Sequence, residues 1–103
     1  KSIIVADLEI FPDKFEAYLH GEQLNLTRKE YELLYYFIQN ENIILSRDQL
    51  LSSVWDYEFV GDTRIVDVHV SRLREKIEED SKKPRYIKTV HGFGYKLENP
   101  NEN

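Results

Sequence analysis

The stretch that decides the fold runs from Arg64 to Ile77 and reads RIVDVHVSRLREKI. At about 100° per residue, four apolar positions fall in one narrow arc, which is the periodicity of a helix buried on one side. The members of this arc are Val66, Val70, Leu73 and Ile77. The stretch therefore predicts a helix over 63–77 whose apolar arc faces the core.

The opposite face of this helix mixes arginines with β-branched aliphatic residues. Arg64, Ile65, Val68 and Arg72 lie there, and Arg74 lies on one flank. A face that meets only water favours Lys, Glu and Gln. Aliphatic groups beside guanidinium groups suit a DNA major groove, where they meet thymine methyls, guanine edges and phosphates. The face indicates nucleic-acid binding.

Charge is unevenly distributed along the 103 residues, whose net charge is −5. Residues 1–62 carry 5 Lys/Arg and 12 Asp/Glu, whereas residues 63–96 carry 9 Lys/Arg and 5 Asp/Glu. A basic C-terminal third on an acidic body is an asymmetry that a polyanion can use. The alternative at this point is a solvated surface with scattered cations.

Composition excludes several classes of protein. The chain has no Cys, so disulfides and thiolate metal sites are ruled out. Its apolar runs are too short for a bilayer, and no signal-peptide pattern opens it. We therefore expect a cytoplasmic domain without membrane contact. Because the first residue is Lys1, we also expect a piece of a longer chain.

Other patterns place this helix among further elements. Short runs before residue 25 predict a small antiparallel sheet, with alternation at Phe15, Ala17 and Leu19. Two helices follow, each predicted to open on a capping box, in which a side chain at each end of the first turn accepts the other residue's backbone N–H. These boxes are Thr27 with Glu30 and Ser46 with Gln49, and Asp62 or Thr63 is predicted to cap the third helix.

The chain ends in RYIKTVHGFGYKLE, from Arg85 to Glu98. Two β-rich runs around His91-Gly92-Phe93-Gly94 predict a hairpin, since both glycines can take positive φ. The predicted fold class is α+β: a winged helix-turn-helix with an N-terminal antiparallel sheet, three helices and a C-terminal β-hairpin wing. We expect this domain over 1–98 and a flexible tail over 99–103.

Four segments resemble the C-terminal effector domain of OmpR/PhoB-type bacterial response regulators. They are LTRKEYELLYYF, LSRDQLLSSVWDYEF, GDTRIVDVHVSRLREKIEED and PRYIKTVHGFGYKLE, and the resemblance covers nearly the whole chain. It implies sequence-specific binding of double-stranded DNA and transcription regulation under phosphorylation control. The implied partners are a receiver domain, a sensor kinase and RNA polymerase.

The resemblance also implies roles for single residues. Helix 63–77 would enter the major groove, with Arg72 as the main base reader and Arg64 and Arg74 on phosphates. The wing, 88–97, would reach the adjacent minor groove near His91. The further residues implied to lie at DNA are Trp55, Ile65, Val68, His69, Ser71, Thr89 and Tyr95. The loop implied to meet RNA polymerase is Asp56, Tyr57, Glu58, Phe59, Val60 and Gly61.

Three positions depart from the family's usual residues. Thr often stands where Ile65 is, Arg or another polar residue where Ser71 is, and Arg where His91 is. Each departure removes a polar or charged contact, so we expect a monomer that binds DNA weakly alone. Side-by-side dimers on tandem direct repeats, which the resemblance implies, would restore affinity.

Two other functions stay open. A winged helix could instead bind a protein through Ile65 and Val68. An enzyme is the third class, but His20, His69 and His91 show no metal-ligand spacing, and no arrangement suggests an activated nucleophile. We therefore predict no enzymatic activity, no metal and no cofactor.

Overall fold

The N-terminal part is an antiparallel sheet in which each strand pairs with the next along the chain. In this computed structural model, residues 1–56 and 62–102 are described. The strands are β1 (Ile3–Val5), β2 (Leu8–Phe11), β3 (Glu16–Leu19) and β4 (Glu22–Gln23). The predicted alternation is wrong at Phe15, which lies before β3: a short 3₁₀ turn places it at φ 54°, and the residue is 63% exposed.

Three helices follow, namely α1 (Arg28–Gln39), α2 (Arg47–Val54) and α3 (Arg64–Ile77). The capping box predicted for α1 is confirmed. The Thr27 hydroxyl accepts the Glu30 N–H at 3.2 Å, and the Glu30 carboxylate accepts the Thr27 N–H at 2.9 Å. These two bonds satisfy backbone donors that the first turn of a helix leaves unpaired.

The other two helix starts use single bonds. Ser46 accepts the Gln49 N–H at 3.0 Å, but the Gln49 side chain donates to the Tyr36 hydroxyl instead of returning to Ser46, so the second predicted capping box is wrong in that half. At α3 the Asp62 carboxylate accepts the Arg64 N–H at 3.2 Å, and Thr63 makes no capping bond.

The predicted hairpin is formed by β5 (Ile87–Val90) and β6 (Gly94–Leu97). The linker between α1 and α2 pairs with it, because Leu45 and Tyr95 exchange two backbone hydrogen bonds at 2.8 and 3.0 Å. A Cβ at Gly94 would lie 2.1 Å from the Leu45 carbonyl oxygen, and its φ is 148°. Only glycine fits at this crossing.

The chain after α3 is fixed by one carboxylate. Glu78 accepts hydrogen bonds from the backbone N–H groups of Arg85, Tyr86 and Ile87, at 2.7 to 3.1 Å. These bonds hold the start of β5 against the end of α3. Arg85 in turn donates to the Pro100 carbonyl at 2.9 Å, and the tail boundary at residue 98 stays a prediction.

The core lies between the sheet, the three helices and the hairpin. The arc predicted on α3 is confirmed as its buried face, since Val66, Val70, Leu73 and Ile77 are at most 1% exposed. α1 contributes Leu33, Leu34 and Phe37, which are fully buried. Within the described ranges, no helix has the length and apolar character needed to traverse a bilayer. Burial of this arc leaves the arginine-bearing face of α3 outward.

Candidate nucleic-acid interface

The outward face of α3 presents Arg64, Val68, Ser71 and Arg72 to solvent. Arg72 makes no hydrogen bond or ion pair with residues 1–56 or 62–102, and Val68 is 45% exposed beside it. Arg64 pairs with Asp62 at 3.1 Å, but its side chain is 88% exposed, so the pair is weak and easily exchanged. This face offers guanidinium donors and a methyl surface together.

Two of the predicted contact residues on α3, Ile65 and His69, contact other parts of the domain. Ile65 is half-buried and packs against the core. His69 Nδ1 lies 3.0 Å from the Ile65 carbonyl oxygen, and its ring meets Trp55 edge-on at a centroid distance of 5.0 Å. Trp55 itself is only 2% exposed, and its indole N–H has no hydrogen-bond partner among the described residues.

Arg74 points to the wing. Its Nε and Nη2 donate to the Ile87 carbonyl at 3.1 and 2.7 Å, and Nη2 also donates to the Thr89 hydroxyl at 2.9 Å. Burial lowers the pKa of Arg74, although a guanidinium remains charged at neutral pH. Most of its donors are thus used inside the domain, where they tie α3 to β5. A phosphate contact by Arg74 stays a prediction.

A cluster of three side chains, which we call the surface cluster, joins α2, α3 and β6. Asp67 Oδ1 accepts a 2.7 Å bond from Arg47 Nε and a short bond from the Tyr95 hydroxyl. The Arg47 and Arg74 guanidinium groups lie 5.2 and 5.4 Å from the centroid of the Tyr95 ring. Burial and the bond to Asp67 raise the pKa of Tyr95, and that of Arg47 is raised by Asp67.

Sequence reasoning missed Arg47 and Asp67. The pattern did contain a signal for Asp67, because a carboxylate on an otherwise basic helix face needs a cationic partner. Nothing in the sequence identified that partner as Arg47, which lies 20 residues earlier on another helix.

The wing tip is open to solvent. His91, Gly92 and Phe93 are all exposed, and Phe93 is 68% exposed. Thr89 is also exposed on β5, where its hydroxyl accepts from Arg74 and keeps its own proton for another acceptor. Of the predicted polymerase loop, Asp56 is exposed, whereas Tyr57 to Gly61 lie outside the described residues.

Across residues 1–56 and 62–102, no three His, Asp or Glu side chains come together in a way that could hold a metal ion. The functional side chains that do come together lie on the exposed face of α3 and on the wing.

Comparison with families of known proteins gives one match that covers most of the domain. Residues 21–97 match the family described as "Transcriptional regulatory protein, C terminal". The alkaline phosphatase synthesis transcriptional regulatory protein PhoP of Bacillus subtilis is 58% identical over 101 residues. That alignment covers 98% of this chain and 42% of PhoP, so the chain spans less than half of that relative.

Solved structures agree with this match. The RstA DNA-binding domain of Klebsiella pneumoniae, in complex with the RstA box, superposes with a TM-score of 0.87 at 33% identity, covering 97% of this chain and 98% of that one. Response regulator DrrB of Thermotoga maritima, an OmpR/PhoB homologue, gives 0.87 at 35% identity, covering 94% of this chain and 44% of DrrB. The predicted fold class and the predicted resemblance are both confirmed.

Proposed function

The chain belongs to the family of C-terminal DNA-binding domains of transcriptional regulatory proteins, and from this membership we propose that α3 enters the major groove of double-stranded DNA while the wing reaches the adjacent minor groove. The observation that carries the proposal is the exposed Arg72, which has no partner among the described residues and lies beside Val68 on a face whose opposite side is fully buried. A guanidinium in that position can donate two bonds to a guanine edge.

The remaining contacts divide by chemistry. Arg64, Arg74 and Thr89 are proposed to meet phosphates, since cations and hydroxyls bind phosphate without reading sequence. Tyr95, whose hydroxyl proton is donated to Asp67, is proposed to lie beside these contacts. Val68 and Ser71 border bases or backbone, and His91 lies at the minor groove. Ile65 packs against the core, and His69 packs against Trp55, so these three residues are proposed to support this surface. The Trp55 N–H is proposed to meet a phosphate.

Partners follow from the family. Two copies are proposed to bind side by side on direct repeats, because one copy presents few free cations. A receiver domain in the full protein, controlled by a sensor kinase in the cytoplasm, would regulate this pairing. The loop from Asp56 to Gly61 is proposed to meet RNA polymerase. We assign no catalytic role, since the family is one of transcription regulators.

The alternative, a protein-binding winged helix, loses one of its two apolar anchors in this structure. Ile65 packs against the domain's own core, which leaves Val68 as the exposed aliphatic residue on the outward face of α3. A single valine among arginines is a poor protein-docking surface, because hot spots are large side chains in desolvated pockets.

The test is a titration at several salt concentrations of a labelled duplex that the chain has enriched from a random-sequence pool. With about five phosphate contacts, the slope of log affinity against log salt is expected to be roughly −4 to −5. Duplexes with one site, two direct sites and two inverted sites then test the arrangement. Salt-independent or absent binding overturns the DNA proposal, and preference for the inverted pair overturns the direct repeat.

A further inference from the structure

Asp67 lies on the flank of α3 between the wing and the first turn of α2. Its Oδ1 accepts both bonds of the surface cluster, one from Arg47 and one from Tyr95. These residues are 20 and 28 positions away along the chain, so one carboxylate joins three separate elements.

The cluster is poorly placed to stabilise the fold. The side chains of Arg47 and Asp67 are 39% and 41% exposed, and ion pairs at that exposure contribute little to stability. A carboxylate beside DNA also repels phosphates. Neither fold stability nor attraction to DNA therefore explains why a carboxylate lies at the proposed interface.

The bond between Tyr95 and Asp67 offers an explanation. Its ring is 5% exposed, and its single hydroxyl proton is donated to Asp67, so the hydroxyl cannot donate to a phosphate at the same time. Because β6 also pairs with Leu45, this bond fixes the direction in which the wing leaves the domain. Arg47 is fixed by the same carboxylate, and its guanidinium lies 5.2 Å from the centroid of the Tyr95 ring.

We propose that Asp67 is a positioning residue for DNA binding: it holds Tyr95 of the wing and Arg47 of α2 in a fixed relation to α3, and it does not touch DNA itself. This inference rests on the proposed function. Groove contacts by α3 and the wing must be made together, and small misplacements of either one lose phosphate contacts.

The sign of one substitution separates positioning from electrostatics. If charge alone matters, Asp67→Ala removes a repulsive group and tightens DNA binding. If Asp67 positions the wing, the same variant binds roughly ten-fold more weakly. The slope of log affinity against log salt then becomes less steep by roughly the amount that one phosphate contact contributes. Glu75→Ala is the matched control, because Glu75 is an exposed carboxylate on the same helix without a partner among the described residues. We expect it to bind equally or slightly more tightly.

A double-mutant cycle then tests whether Tyr95 acts through Asp67. Tyr95→Phe removes only the hydroxyl. It is expected to weaken the wild-type chain about three- to ten-fold, and to have little further effect in the Asp67→Ala background, because interacting residues are not additive. Asp67→Asn keeps Oδ1 as an acceptor and is expected to restore most of the affinity. Thermal melting confirms that each variant is folded.

Measurements use the duplex enriched by the wild-type chain. Equal or tighter binding by Asp67→Ala, with the wild-type salt slope, overturns the positioning role and leaves DNA binding intact. Additive effects of the two substitutions overturn the link between Asp67 and Tyr95. Failure of the wild-type chain to bind any enriched duplex overturns the proposed function itself, and that result is distinct from both.

Discussion

Glu30 and Asp67 are two carboxylates that each hold α3, in surroundings of opposite kind. Glu30 belongs to a body cluster with Thr27 and Lys76. It is 3% exposed, and it accepts from Lys76 Nζ at 2.6 Å. Asp67 belongs to the surface cluster and is 41% exposed. The difference teaches that one helix is anchored twice, once inside for the fold and once at the surface for the geometry of binding.

The pKa values follow the same division. Burial alone would raise the pKa of Glu30, but the hydrogen bonds from Lys76 and the Thr27 N–H lower it below its ordinary value. The charged carboxylate is therefore the form that the body cluster prefers. At the surface cluster, the group that is shifted by burial is the Tyr95 phenol, whose raised pKa keeps it a donor.

The largest expected effect comes from breaking the body cluster. Glu30→Ala leaves the Thr27 N–H without its acceptor and Lys76 without its partner. We expect a loss of about 2–3 kcal/mol in the free energy of unfolding, because Lys76 is partly solvated. Urea denaturation measures this loss. DNA affinity of the folded fraction is expected to be unchanged, and a specific loss of affinity would erase the distinction between the clusters.

The next-largest effect is expected on DNA affinity, with little change in stability. Arg72→Ala removes an exposed side chain that bonds to none of residues 1–56 or 62–102, so stability is expected to change by less than about 0.5 kcal/mol. DNA binding is expected to weaken by about 1–3 kcal/mol, with relaxed preference at one base pair. Competition between duplexes that differ at single positions measures both. Equal weakening on every sequence would make Arg72 a phosphate contact.

A pH series sharpens the comparison further. A carboxylate whose folded pKa is lowered contributes stability above its unfolded pKa, about 4.3 for Glu, and loses it as pH falls through the folded value. The stability difference between wild type and Glu30→Gln should thus shrink below about pH 4.3. Urea midpoints of both proteins measure it. A constant difference down to strongly acid pH would contradict a charged Glu30.

The smallest expected effect is at the wing tip. His91→Arg adds a permanent cation at the exposed wing tip, so binding is expected to tighten by about two- to five-fold. His20→Arg is the control, since His20 lies on a turn of the N-terminal sheet. Titrations of the same duplex with the wild type and both variants measure the effect. Equal affinity of His91→Arg and the wild type would remove His91 from the interface.

The sequence predicted those features that depend on local spacing. The spacing of apolar residues by three and four positions identified the buried face of α3, and Thr27 with Glu30 identified a capping box. It did not predict that the Gln49 side chain donates to the Tyr36 hydroxyl, or that the Arg74 guanidinium donates to the Ile87 carbonyl. Both bonds depend on residues from distant parts of the chain. A helical wheel cannot distinguish Arg74 from the exposed arginines of α3, because the β5 carbonyl that accepts its hydrogen bonds lies outside the helix.

Site prediction had the same limit. The exposed residues on the outward face of α3, Arg64, Val68 and Arg72, could be chosen from the helical wheel alone. Arg47 and Asp67 could not, since their importance lies in a bond between two helices. Tyr95 was implied by the family resemblance, and the structure shows its hydroxyl directed to Asp67.

The crossing of Gly94 over Leu45 has a consequence for how such a domain diversifies. Residue 94 is closed to every side chain, whereas the neighbouring residues 91–93 are exposed. Gly92 has a φ of 83°, which also favours glycine, so sequence change in the hairpin is confined to the exposed residues His91 and Phe93. Variation at these two positions lets the range of DNA sites evolve, or be engineered, without disturbing the core.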